Sequence, residues 1–122
     1  MDRVNERVQR RRHARYHIWF PVRVDAGELE GAMAVNHNIG AGGMLIALSA
    51  ELKAGSEVKV TFRLPPDGKE ERHISGRIVR IEKNDADPDG VWPFRMAVAF
   101  DQIASDLVPL LEKAVHRISE II

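Results

Sequence analysis

No cysteine occurs among the 122 residues, which excludes disulfides and thiolate metal sites and fits a reducing, cytoplasmic setting. Aromatic residues make up only 6%, few for a surface that must stack successive nucleic-acid bases. Formal net charge is zero. Long apolar runs are missing too. The longest uncharged stretch, Gly31 to Ala50, is broken by Gly31, Gly40, Gly42 and Gly43 and carries Asn36, His37 and Asn38. It is too polar to span a membrane, so no membrane insertion is expected. Met1 to Tyr16 is charged and leads into no apolar h-region, so no secretory signal is expected either.

What is present describes one globular domain: 44% hydrophobic and 30% charged residues at a length that can bury a single core. The neutral total hides an asymmetry. Residues 1–24 hold seven arginines against Asp2 and Glu6, and four of those arginines fall in "RRRHAR" at 10–15. A basic arm on an acidic body either lies back on its own domain or captures an external anion. The acidic body argues against a long polyanion, and only Tyr16, Trp19 and Phe20 lie near the arm as stacking platforms. DNA and RNA are therefore not expected partners.

Period-two alternation dominates the rest. Strands are predicted at His17–Val24, Leu29–His37, Met44–Leu48, Glu57–Leu64, Arg72–Glu82 and Phe94–Phe100. Pro21 marks an edge or bulge. The apolar phase slips between Ile74/Ile78 and Val79/Ile81, which predicts a bulge near Gly76. From Ser105, a plausible N-cap, Leu107, Leu110, Leu111, Ala114, Ile118 and Ile121 repeat at helical spacing. The sum is an all-β-dominated fold: a six-stranded antiparallel barrel with one C-terminal helix packed on it or closing a mouth.

Catalytic constellations are absent from the sequence. His13, His17, His37, His73 and His116 are scattered without metal-ligand spacing, and no serine sits in a nucleophile elbow; structural or surface roles fit them better. Asp85, Asp87 and Asp89 open like a calcium loop, but the position of the bidentate glutamate is Met96, so a solvated turn is expected. "NHNIGAGGML", with glycines at 40, 42 and 43, joins two strands. Such a turn calls for positive φ or for close approach of a ligand to an open backbone.

Arg10, Arg11 and Arg15 in the spacing RRxxxR, followed by Asn38 and Gly43 in the frame of [D/N]xSxxG, resemble the PilZ domain. The resemblance covers nearly the whole chain. It implies a PilZ-like split barrel with a C-terminal helix at about 105–121 in residues 17–122, preceded by a flexible basic arm, 1–16. It further implies a non-enzymatic bacterial receptor for cyclic di-GMP, with Arg10, Arg11, Arg15, Asn38, Gly40 and Gly43 as binding residues and no cofactor or metal. A downstream protein partner in motility or biofilm control and a monomer or weak dimer are the matching expectations. Guanidiniums suit this ligand chemically. They fork onto phosphate, pair with guanine O6 and N7, and stack on purines, where lysine offers a point charge.

The family's serine is Gly40 here. One lost hydrogen bond weakens affinity by about 0.5–1.5 kcal/mol, so Gly40→Ser is expected to tighten binding if the backbone accepts it. The alternative is a degenerate PilZ domain that acts as a nucleotide-independent interaction module.

Overall fold

Each predicted strand has one apolar face to hide, and the chain hides all six faces inside one barrel. The computed structural model describes residues 13–65, 68–85 and 90–121, and side chains only as far as 116. Its strands are β1 (Phe20–Ala26), β2 (Leu29–Gly40), β3 (Gly43–Leu48), β4 (Glu57–Arg63), β5 (Glu71–Lys83) and β6 (Phe94–Phe100), followed by the helix α1 (Leu107–Ile121). All pair antiparallel in the closed order β1-β2-β3-β6-β5-β4. This is the expected barrel with a terminal helix.

Val22 and Val24 of β1, Val60 and Phe62 of β4, Ile46 and Leu48 of β3, Ile78 of β5 and Met96 of β6 fill the interior. Burying each such side chain contributes about 1.5–3 kcal/mol. Phe20 and Phe62 meet at 5.2 Å between ring centroids across β1 and β4, the pair that closes the barrel. Helix α1 buries Leu107, Leu111 and Ala114 against this core, an i, i+4, i+7 stripe.

Three local expectations are corrected and one holds. Pro21 does lie at a local edge: it faces Val35 of β2, while the ladder to β4 starts one residue later at Val22. Its missing N–H therefore falls where β1 has a single neighbour. The slip in β5 lies between Ile78 and Arg80, so Val79 is the extra residue and Gly76 pairs in register with Phe100. Leu110 is 36% exposed rather than on the buried helix face. The helix opens at Leu107, after Asp106, whose carboxylate accepts from Arg72 at 2.6 Å. The Ser105 carbonyl takes the Val108 N–H, and Pro109 falls in the first turn, where it costs no helix bond.

Candidate functional site

Residues 13–18 run along the end of β2. Tyr16 forms an isolated bridge with Ile39: its N–H donates to the Ile39 carbonyl at 2.8 Å, and the Ile39 N–H returns a bond at 3.0 Å. Buried Asn36 donates from Nδ2 to the Ile18 carbonyl at 2.8 Å. These contacts fix the register of the segment, and they bring the two arginine-and-asparagine motifs together. The Arg15 guanidinium donates to Asn38 Oδ1 at 3.3 Å across 23 residues of chain.

A bulge aims Asn38. Between Asn36 and Asn38 the β2–β3 register shifts, so His37 is the extra residue. Without it, Asn38 would fall opposite buried Met44; with it, Asn38 faces Leu45. One inserted residue turns every later side chain to the other face. Here it sends Asn38 outward.

Outside the barrel, Asn38 stands at one end of a groove of about 490 Å³, within the range of small-molecule sites. Leu45, Ala97 and Ala99 of β3 and β6 line its floor, and His13, Arg15 and His17 flank the Asn38 end. The β5 side carries Val79 and Arg80, and Ile103 lines the groove near Gly42. No carboxylate lines this groove among the described residues. Small residues on the floor let a flat ligand approach the sheet, while cationic and apolar groups on the walls fit phosphates and purine faces.

The glycines serve the chain itself. Gly40, Gly42 and Gly43 all have negative φ, and the positive-φ glycines lie elsewhere. The turn is not an open backbone either: the carbonyls of Ala41 and Gly42 accept from the N–H groups of Ala104 and Phe100 at 2.8 and 3.0 Å. A Cβ on Gly40 would sit 2.5 Å from the Ala14 carbonyl oxygen, and one on Gly43 would meet the Val98 carbonyl. Close approach is the reason for both, but what approaches is the protein's own backbone. A serine at 40 would collide with the segment that carries Arg15, which reverses the expected benefit of Gly40→Ser.

Two titrating groups border the site. The Tyr16 hydroxyl donates to Glu112 Oε1 at 3.3 Å, and partial burial with the nearby carboxylate raises its pKa above the usual 10.0. His37 stacks on Trp19 with centroids 4.6 Å apart, and burial followed by the Arg95 charge lowers its pKa below the usual 6.5.

A model of the PilZ domain matches residues 9–117. The chain belongs to the PilZ domain family. No curated protein matches it. Among solved structures it is similar to the Bacillus subtilis inhibitor of motility (MotI/DgrA), with a TM-score of 0.69 and 22% sequence identity. That likeness covers 92% of this chain and 52% of the other, so the chain spans about half the length of that protein.

Of the six residues expected to form the PilZ ligand site, Arg10 and Arg11 lie outside the described residues. Arg15 and Asn38 meet at the groove. Gly40 and Gly43 are buried in the turn beneath it. Of the three aspartates of the calcium-like loop only Asp85 is described, and no metal-holding cluster occurs among the described residues. His13 and His17, expected in structural or surface roles, line the groove. The signal for them was their spacing: residues 13, 15 and 17 share one side of an extended segment.

Proposed function

We propose that this PilZ domain is a receptor for cyclic di-GMP, held between the arginine arm and the outer face of β2, β3, β6 and β5. The observation that carries this is the Arg15–Asn38 contact at the mouth of a groove that no carboxylate lines among the described residues. Arg11 and Arg15 grip phosphate and guanine edges, Arg10 adds charge and stacking, and Asn38 presents its amide to guanine. No bond is made or broken. The response is conformational: the ligand pins the arm, residues 1–16, of which Arg15 and Tyr16 already touch β2, against a body formed by 17–122 and changes the surface offered to a protein partner.

Two links carry such a change to α1. Tyr16 reaches Glu112 on the helix, and the Ala41 carbonyl holds the Ala104 N–H just before it. No helix among the described residues is long and apolar enough to cross a membrane, and a cytoplasmic domain, monomeric or weakly dimeric, is the setting proposed.

One observation favours the rival reading, a degenerate domain that recruits a partner without nucleotide: the Ala14 carbonyl fills the space that the family's serine would take. Calorimetric titration with cyclic di-GMP decides. A dissociation constant in the micromolar range, about −8 kcal/mol at 1 μM, supports the receptor. No heat at millimolar ligand gives the case to the degenerate module.

A further inference from the structure

The groove has a second built end. Register places Asn38 opposite Leu45, Leu45 opposite Ala97, and Ala97 opposite Arg80, so one cross-strand row runs over β2, β3, β6 and β5. Both ends of the row are set by bulges. His37 turns Asn38 outward at one end; at the other, Val79 is inserted between Ile78 and Arg80. In unbroken alternation Val79 would face Ala97 and Arg80 would face buried Met96. The inserted residue places Arg80 outward on the row instead.

Arg80 is also uncommitted. Arg72, Arg77 and Arg95 on β5 and β6 each hold a carboxylate, from Glu70 and Asp106, Glu57, and Glu82 respectively. Among the described residues, Arg80 has no hydrogen-bond or ion-pair partner, although it lines the groove. Beside it Val79 is 53% exposed, and Ile103, 56% exposed, lines the same groove near Gly42 and His13. A guanidinium with no side-chain partner among the described residues, next to an exposed apolar side chain, fits a phosphate or guanine edge with a purine face lying next to it.

We propose that the Val79–Arg80 bulge is a second recognition element, which selects a ligand long enough to touch both ends of the row. Three strand spacings of about 4.8 Å separate β2 from β5, so the ends stand about 14 Å apart. A cyclic purine dinucleotide brings two phosphates and two bases and engages both ends at once. A mononucleotide has one of each and engages one end. This inference rests on the groove being the nucleotide site, and it assigns specificity to a residue outside both motifs.

The test is titration of the full chain and of Arg80→Gln, Arg15→Gln and Arg23→Gln with cyclic di-GMP and with GMP at fixed salt. Arg23, on β1 outside the groove, controls for the loss of one positive charge. Arg80→Gln should weaken cyclic di-GMP binding about tenfold or more, leave GMP binding as in the unmodified chain, and melt at the same temperature. Arg23→Gln should change neither ligand's affinity. Undiminished cyclic di-GMP binding by Arg80→Gln, with binding lost in Arg15→Gln, would overturn this inference and leave the receptor reading intact. Equal losses for both ligands, or an equal loss in Arg23→Gln, would reduce Arg80 to a general anion attractor. An unmodified chain that binds no cyclic di-GMP would remove both proposals.

Discussion

Replacing Gly40 by alanine should detach the arginine segment from the barrel. The added Cβ would lie 2.5 Å from the Ala14 carbonyl oxygen, whereas ordinary contact begins near 3.4 Å. Gly40 cannot retreat, because it is buried and pairs with Gly43, itself packed on the Val98 carbonyl. The segment must move instead. The Arg15–Asn38 bond goes first, worth about 0.5–1.5 kcal/mol, and crowding in a packed site costs about 1–3 kcal/mol. Together these come to about 1.5–4.5 kcal/mol, which corresponds at this chain length to about 6–18 °C in melting temperature. Thermal unfolding followed by circular dichroism, with a cyclic di-GMP titration, reads both consequences. Gly40→Ala and Gly40→Ser should each melt lower and bind more weakly. Gly42→Ala is the control for stability: its Cβ meets only His13 Cδ2 at 3.5 Å and Ile103 Cδ1 at 4.0 Å, so its melting temperature should hold. A Gly40→Ala protein that melts and binds like the unmodified chain would refute the placement of Ala14 over the turn.

Three further outcomes are expected. Arg11→Lys and Arg15→Lys should each weaken cyclic di-GMP binding by about 1–3 kcal/mol, the size of a bidentate guanine contact, while Arg3→Lys and Arg7→Lys cost almost nothing; four equal affinities in calorimetry would make the arm a generic basic tail. Asn36→Ala should cost about 1–3 kcal/mol by stranding the Ile18 carbonyl and should lower affinity as Arg15 loses its register, so an unchanged urea midpoint would count against the clamp. Because His37 is held below 6.5 in the fold, the unfolded chain takes up that proton first on acidification. Stability from this group is complete above about pH 6.5 and is lost as pH falls through 6.5 towards the lower folded value. His37→Gln should therefore lose less melting temperature than the unmodified chain between pH 8 and pH 5.5, and parallel curves would contradict the assignment.

The sequence by itself determined the barrel. Alternation such as Val58, Val60, Phe62 against Lys59, Thr61, Arg63 leaves one face to bury, and six such faces with a terminal Leu107–Leu111–Ala114 stripe fit little else. Arginine spacing and Asn38 also made the family legible, because recognition chemistry depends on residue type and local spacing. The groove was not legible. Its two polar ends lie on β2 and β5, more than forty residues apart, and only the strand order places β3 and β6 between them. Each end is turned outward by one extra residue whose position depends on pairing energies across neighbouring strands, which is why the bulge sits at Val79 and not at Gly76. The glycines of the turn left a structural turn and a ligand-facing backbone both open, because a sequence shows that space is left, while only packing shows what fills it. At Gly40 and Gly43 the filler is backbone, the carbonyls of Ala14 and Val98, brought there by contacts that span 26 and 55 residues of chain.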